Sequence, residues 1–303
     1  MVRPATFYLN PETLATNAFQ NAVAVPPEAT LAAARAEFDA AADALSTAGI
    51  DVAVLEADAS AETPDALFPN NWFSTHTDGR VVLYPMAVPN RRRERRPELL
   101  ATIAAARGWR ISTTVDLTEL ETQGLIVEGT GSLVLDHEAK LAYAALSPRT
   151  HADAVQAACR ALGYDPVLFA AHDSAGREIY HTNVLMAVGP SIAVLASSLV
   201  APGADLRRVF DALERSGKTL LDLSEEQVGE FAGNMLFLDG GRRGPLVAIS
   251  RRAWASLSRG QRVLLEQHAR PVLCAVETIE HVGGGGIRCM LAEIFLPGAH
   301  AAP

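Results

Sequence analysis

The chain has 303 residues, of which 49% are hydrophobic and 20% are charged, a composition typical of a globular protein with a large core. Its formal net charge of −9 argues against nucleic acid as a general partner. No apolar run reaches the roughly 18 residues of a membrane span, and the first residues lack an apolar signal segment. Three scattered cysteines form no disulfide framework, so we expect a cytoplasmic protein with no membrane partner.

The predicted secondary structure repeats one order of elements along the chain. A helix over 27–48 and a strand over 52–55 come first. Predicted hairpins then cover 72–75 with 81–84, 132–135 with 141–145, 183–188 with 192–196, and 234–238 with 246–249. The helices after them cover 97–106, 150–162, 204–216 and 252–268, and closing strands cover 110–115, 219–223 and 271–276. A short strand over 125–127 opens the second unit, and the segment 288–296 starts a fifth.

These hairpin–helix–strand units begin near residues 72, 127, 181, 234 and 288. The spacing of roughly 54 residues is close to the range of repeat architectures. Five units, the last closed by the N-terminal helix and strand, predict an α/β ring with one hairpin of each unit at the axis and the helices outside. The alternative is a generic α/β sheet whose elements are evenly spaced.

Residues suited to catalysis fall at the start of each predicted unit. They are Asn71, Glu128, His181, Asn234 and Cys289. In a ring, these positions would lie at one end of the axis and converge on one pocket.

Cys289 follows the glycines of 283–286. A reactive thiolate needs access and a polar or positive environment, and glycines let the backbone approach a ligand closely. With His181 for proton transfer and Glu128 as a carboxylate, it suits nucleophilic catalysis. The alternatives are a buried, inert Cys289, a strand-end histidine and an exposed turn carboxylate. Cys159 and Cys274 lie in helical and strand patterns and are predicted to be packing residues.

The order of the motifs resembles the guanidine-modifying superfamily of arginine deiminases, dimethylargininases and amidinotransferases, and most closely its citrulline-utilisation hydrolases. The motifs are Pro-Asp-Ala-Leu-Phe-Pro-Asn-Asn-Trp at 64–72, Glu-Gly at 128–129, Leu-Ser-Pro-Arg-Thr at 146–150, His-Thr-Asn at 181–183, Gly-Asn at 233–234 and the Cys289 segment. The resemblance covers nearly the whole chain. It implies one catalytic domain over 1–303 with the pentein fold, a five-bladed α/β propeller of pseudo-fivefold ββαβ units.

The resemblance also implies catalytic roles. Cys289 would attack the central carbon of a guanidinium or ureido group. His181 would protonate the leaving amine and then activate water to release the covalent adduct. Glu128 would accept hydrogen bonds from the substrate nitrogens.

Further residues are implied in substrate binding. Arg149 would bind the carboxylate of an amino acid substrate, since a guanidinium fork fits a carboxylate. Asp65 would bind substrate or order the loop of Asn71, and Asn234 is a further candidate. Without the resemblance, Arg149 would be a surface arginine at a helix start, and Asp65 a turn residue after Pro64.

Two departures from the arginine deiminase pattern bear on the substrate. Arginine deiminases place carboxylates at the positions matching Asn71 and Asn183, where they clamp the cationic guanidinium. Two asparagines would leave that buried cation poorly compensated, which is costly. An amide can instead donate to a urea carbonyl and accept from its NH groups. We therefore expect a ureido substrate, citrulline or a close relative; the alternative is that the asparagines are structural and other acids supply the charge.

Other functions stay open on sequence grounds. They are an arginine- or methylarginine-type hydrolase, an amidinotransferase, and an inactive ring that acts as a binding module. No His-x-x-x-His or Cys-x-x-Cys spacing occurs, so we expect no metal and no cofactor. The basic cluster at 91–96 is predicted to be a solvated loop or helix start. The expected partner is a small amino acid, and homo-oligomerisation is left open.

Overall fold

The computed structural model describes residues 1–298, and four three-stranded sheets within them share one strand order. In each sheet an antiparallel hairpin is extended by a third strand, which runs parallel to the second strand of the hairpin. One or more helices join the second strand to the third. This is the ββαβ unit that the sequence spacing predicts.

The elements are numbered in chain order. Before the first unit come β1 (Val2–Arg3), α1 (Pro27–Ala48) and β2 (Leu55–Glu56). The first unit contains β3 (Phe73–Thr75), β4 (Arg80–Leu83), α2 (Pro89–Arg92), α3 (Pro97–Ala106) and β5 (Thr113–Asp116). The second contains α4 (Gly129–Ser132), β6 (Val134–Asp136), β7 (Leu141–Leu146), α5 (Ala152–Leu162) and β8 (Asp165–Ala170).

The third and fourth units follow the same plan. The third contains α6 (Thr182–Leu185), β9 (Met186–Val188), β10 (Ile192–Leu195), α7 (Ala204–Arg215) and β11 (Thr219–Asp222). The fourth contains α8 (Glu225–Gly229), β12 (Leu236–Leu238), β13 (Leu246–Ser250), α9 (Arg251–Ser256), α10 (Arg259–His268) and β14 (Arg270–Cys274). The last helix is α11 (Glu277–Gly283), and 3-10 turns lie at Pro69–Asn71, Thr118–Gln123, Ser197–Leu199 and Gly241–Arg243.

The middle strand of each sheet is largely buried. Residues of β10 and β13 are buried throughout, because each strand has a paired neighbour on both edges and side chains packed on both faces. Such strands read as continuous apolar runs in the sequence, which is why all four were predictable. No helix within residues 1–298 is long and apolar enough to cross a membrane.

The fifth unit departs from the prediction, because 288–296 forms no strand. Its backbone hydrogen bonds close successive turns instead, from Cys289 N to Gly286 O, from Met290 N to Ile287 O and from Leu291 N to Arg288 O. The N-terminal part packs on this side of the ring as expected, but its strand lies at Leu55–Glu56 rather than over 52–55. Helix α1 packs against β14 and α11, and β1 pairs in parallel with β2.

Smaller predictions were also wrong, among them the strand over 183–188, whose first half is helix α6. The strand expected over 125–127 forms only a single bridge, between Val127 and Thr150. The helix expected over 252–268 is two helices, because Ser258 and Gln261 form a capping box that starts α10. Strand β8 was not predicted at all, since Pro166 interrupts its pattern; the proline is accommodated because β8 is an edge strand.

Candidate active site

Every residue singled out from the sequence is buried, and most of them meet at one narrow cleft. The exposed fraction is at most 4% for Asp65, Asn71, Glu128, Arg149, His181, Asn183, Asn234 and Cys289. The cleft is lined by Asp65, Asn71, Arg149, His181 and Cys289, together with Asn17, Phe68, Arg91, Tyr180 and the glycines of 283–285. Glu128, Asn183 and Asn234 lie behind these residues and contact them.

The repeat explains why these residues meet. Asn71 ends the 3-10 turn that precedes β3. Glu128 stands directly before α4 and β6, and His181 stands directly before α6 and β9. Asn234 comes just before β12. The same position of each unit thus supplies one polar side chain.

Glu128 and His181 form a buried hydrogen-bonded pair, with 2.8 Å between Glu128 Oε2 and His181 Nε2. Burial opposes ionisation of Glu128, but Arg149, His181 and Arg91 outweigh it and hold its pKa well below the ordinary range. Burial lowers the pKa of His181 to about 4, against the opposing effect of Glu128. The resting pair is therefore an ionised carboxylate that accepts from the Nε2–H of a neutral imidazole, which leaves Nδ1 as an acceptor.

Gly131 is what lets two of these side chains come together. A Cβ at this position would lie 2.8 Å from His181 Nδ1, and it would overlap Asn71 Nδ2 even more closely. No real Cβ tolerates such contacts, so position 131 must be glycine for both side chains to keep their places. The Glu-Gly-x-Gly sequence after Val127 is thus a steric requirement of the cleft.

Cys289 lies at the end of the glycine-rich turn and receives two amide donors. Asn234 Nδ2 is 3.3 Å and Asn183 Nδ2 is 3.4 Å from Cys289 Sγ. Burial raises the pKa of the thiol, while Asn234, Arg288 and Asn183 favour the thiolate. Both asparagines were predicted to bind substrate; in the structure their Nδ2 groups donate to the sulfur.

Arg91 orients the side-chain amide of Asn71. Its Nη1 donates to Asn71 Oδ1 at 2.8 Å, and its Nε and Nη2 form a fork on Glu94 at 2.9 Å each. Because Asn71 Oδ1 accepts from Arg91, the orientation of the amide is fixed. The other end of the amide, Nδ2, is buried and has no partner. Arg91 Nε is also 3.8 Å from Asp65 Oδ2, and Asp65 Oδ1 has no partner either.

Arg149 is held by the N-terminal loop. Its Nη2 donates to Thr13 O at 3.2 Å, and its Nε donates to Thr16 Oγ1 at 3.0 Å. Its guanidinium also lies 3.6 Å from Glu128 and 5.1 Å from the centre of the Tyr180 ring. Asn17 of the same loop donates to the carbonyls of the glycine-rich turn. The loop therefore closes over the cleft and uses the donors of Arg149.

The prediction that the basic cluster at 91–96 is solvated is wrong for Arg91. Arg91 is 3% exposed and lies in the cleft wall, rather than in a solvated loop. Glu94 is equally buried as its partner. The Arg-x-x-Glu spacing was the available signal, but such i, i+3 pairs are commonest on exposed helix faces. The closing loop gave no signal, because its polar side chains follow no period.

The predictions for the other cysteines are confirmed. Cys159 packs in the core against α5 and β7 neighbours, and Cys274 packs beneath α1. Within residues 1–298, no group of three or more His, Cys, Asp or Glu side chains has the geometry of a metal site.

Comparison with known proteins gives one matching family model. The family model for eukaryotic N,N dimethylarginine dimethylhydrolase matches residues 3–296. Among curated proteins no relative is found.

Solved structures share the fold at low identity. The N-terminal domain of ArgZ, an arginine dihydrolase of the ornithine–ammonia cycle in cyanobacteria, has a TM-score of 0.72 at 16% identity and covers 98% of each chain. AgrE bound to L-arginine has a TM-score of 0.72 at 14% identity, covering 96% of this chain and 39% of AgrE. A dimethylarginine dimethylaminohydrolase adduct with S-methyl-L-thiocitrulline has a TM-score of 0.66 at 15% identity, covering 95% and 96%. These likenesses confirm the predicted pentein propeller.

Proposed function

Because the chain belongs to the N,N dimethylarginine dimethylhydrolase family and so to the guanidine-modifying superfamily, we propose that it hydrolyses a C–N bond of a free amino acid through Cys289. We propose a ureido group as the reacting group and L-citrulline as the substrate. The reaction consumes one water and yields ornithine, ammonia and carbon dioxide. The observation that carries this choice of substrate is the fixed orientation of the Asn71 amide.

The chemical steps follow from the cleft residues. Cys289 Sγ bonds to the ureido carbon, and the thiol proton passes to His181. The C–N bond then breaks, and His181 returns the proton to the leaving amine. Water, deprotonated by His181, attacks the thio adduct and frees the thiol. The remaining carbamate loses carbon dioxide to give the second amine.

The environment of the two reacting side chains supports these steps. A neutral His181 with Nε2–H on Glu128 has Nδ1 available to accept a proton. The amide donors of Asn183 and Asn234 lie where they would stabilise a thiolate. Glu128 would in turn stabilise the imidazolium that forms during proton transfer.

The two ends of an amino acid head group have counterparts in the cleft. A substrate carboxylate would replace the neutral oxygens of Thr13 and Thr16 on Arg149, since hydrogen bonds to an ionised acceptor are stronger. The free Oδ1 of Asp65 would accept from the substrate ammonium. The loop that closes the cleft would therefore open to admit substrate.

The Asn71 amide distinguishes the two candidate reacting groups. Arg91 occupies Asn71 Oδ1, and the donor Nδ2, which lies against Gly131 beside His181, has no partner. A ureido group has a carbonyl oxygen that accepts this bond. A guanidinium has only donors, so Asn71 Nδ2 would remain buried and unpaired, which costs about 1–3 kcal/mol.

A second candidate is L-arginine, and charge favours it. Asp65, Glu94 and Glu128 place three carboxylates against the two guanidinium groups of Arg91 and Arg149. If all are ionised, one negative charge is left for a guanidinium substrate. The fold likeness to the arginine dihydrolase ArgZ points the same way. In that reaction, the ureido compound would be an intermediate of the same cleft.

One assay separates these substrates. Purified protein is given L-citrulline, L-arginine or N,N-dimethyl-L-arginine at equal concentration, and ornithine, citrulline, ammonia and dimethylamine are measured. We expect the highest rate with citrulline and equal amounts of ornithine and ammonia. Faster turnover of arginine would refute the ureido preference. No turnover of any of the three, with Cys289→Ser as the blank, would refute the hydrolase.

A further inference from the structure

Glu280 is a buried acid that the proposed chemistry does not use. Its side chain lies on α11, nine residues before Cys289, and is 0% exposed. Neither carboxyl oxygen has a partner at hydrogen-bond geometry, although the Ser250 hydroxyl approaches the group. An ionised carboxylate in this state would be costly, because a buried charge needs pairing.

The charged groups around Glu280 do not supply that pairing. Glu37 of α1 and Glu277 of α11 are like charges, which disfavour its ionisation. Arg252 of α9 is the nearby cation, but its guanidinium forms an ion pair with Glu230. Burial is the largest effect, opposed by the Ser250 hydroxyl, and it raises the pKa of Glu280 to about 7.

Glu280 approaches the catalytic cysteine through Asn234. A Cβ built on Gly286 would lie 2.8 Å from Asn234 Oδ1 and 3.3 Å from Glu280 Oε1, so both oxygens border the small space that a side chain at position 286 would fill. Asn234 Oδ1 is also buried without a partner. A proton on one of these two acceptors would let them share a hydrogen bond across that space.

We infer that Glu280 is a neutral carboxylic acid that donates toward Asn234 Oδ1 and so positions the Asn234 amide on Cys289. The donated bond fixes the side of the amide that faces the sulfur, since Asn234 Nδ2 then donates to Asn183 O at 3.1 Å and to Cys289 Sγ at 3.3 Å. Glu280 is therefore a positioning residue for the nucleophile. This inference deepens the proposed function, because it rests on Cys289 as the reactive thiol.

The test uses the thiol itself, so it does not depend on the identity of the substrate. The rate of Cys289 alkylation by chloroacetamide is measured across pH in the wild type, Glu280→Gln and Glu280→Leu, with Cys289→Ser as the blank. Glu266→Gln, an exposed change of the same kind on α10, is the matched control. Gln keeps a neutral donor of the same shape, so we expect a rate within about twofold of the wild type.

Leu keeps the volume but removes the donor. We expect the apparent thiol pKa to rise by about one unit and alkylation at neutral pH to slow about tenfold. An unchanged rate in folded Glu280→Leu, or an equally slow Glu280→Gln, would overturn the inference. If the Leu variant does not fold, infrared spectroscopy decides. A protonated-carboxyl band present in the wild type below pH 7 and absent in Glu280→Gln supports the inference, and its absence from the wild type refutes it.

The two proposals fail separately. A protein that hydrolyses none of the three amino acids, but shows the Leu effect on alkylation, would lose the hydrolase assignment and keep the role of Glu280. A protein that hydrolyses citrulline, with alkylation unaffected by Leu, would keep the hydrolase and lose that role.

Discussion

Replacing Asn71 by Asp changes one hydrogen-bond donor to an acceptor. The change falls on the contact that would distinguish a ureido group from a guanidinium. The variant is nearly isosteric, and Arg91 Nη1, now 2.8 Å from the amide oxygen, can hold a carboxylate oxygen in the same place. The second oxygen then replaces Nδ2. The fold should therefore persist, because the buried arginine gains a charged partner rather than losing one.

The magnitude follows from that one hydrogen bond. A ureido carbonyl would lose its donor and face an acceptor instead, at a cost of about 1–3 kcal/mol, so kcat/KM for citrulline should fall roughly five- to 150-fold. A guanidinium would gain an acceptor and a nearby negative charge. We therefore expect the ratio of citrulline to arginine turnover to fall by at least about tenfold.

The assay is ammonia release with each substrate, under subsaturating conditions that report kcat/KM. Asn21→Asp makes the same chemical change at an exposed position and serves as the control. Circular dichroism checks that both variants are folded. A citrulline-to-arginine ratio that is the same in Asn71→Asp and the wild type would refute the argument from amide orientation.

Three further predictions concern packing and charge. Gly131→Ala should lower kcat at least about tenfold, because the added Cβ displaces His181 and Asn71. A Cβ at Gly260 would have no neighbour within 4 Å, so Gly260→Ala should leave kcat unchanged. Ammonia release measures both. Glu94→Ala should lower the free energy of unfolding by about 3–5 kcal/mol, because it leaves buried Arg91 without its charged partner. Glu98→Ala, at an exposed pair, should change it by less than about 1 kcal/mol; urea denaturation measures both. Because folding raises the pKa of Glu280 to about 7, the stability that its protonated form gives is full below the ordinary pKa and is lost as pH rises through about 7. The free energy of unfolding of Glu280→Gln should therefore gain up to about 3 kcal/mol on that of the wild type between pH 5 and 8. A constant difference across that range would contradict a neutral Glu280.

The sequence predicts the repeat well because each unit contains an apolar strand that is easily recognised. The middle strands β7, β10 and β13 are short apolar runs between turn residues, so both their existence and their spacing are visible. The spacing alone places His181 at the same point of its unit as Glu128. Their 2.8 Å contact is thus a consequence of the ring, although they are 53 residues apart.

Side-chain pairing was beyond the reach of the sequence. Arg91 stands among four other arginines, and its one local signal, the i, i+3 spacing to Glu94, does not show that it turns inward to meet Asn71. Its burial is decided by partners from other parts of the chain, notably Asp65. The loop of Thr13 and Thr16 is invisible for the same reason, because its polar groups are satisfied by Arg149 across 133 residues or more.

Asp65 connects the choice of substrate to the charge of the cleft. Burial raises its pKa, against the opposing effect of Arg91 and the Asn10 hydrogen bond. With Asp65 neutral, the two remaining carboxylates of Glu94 and Glu128 balance Arg91 and Arg149, and a neutral ureido group enters without leaving a charge unpaired. With Asp65 ionised, the cleft carries one negative charge that a guanidinium would neutralise. The Asn71 amide thus favours a ureido substrate whatever the charge of Asp65, and a protonated Asp65 would act in the same direction.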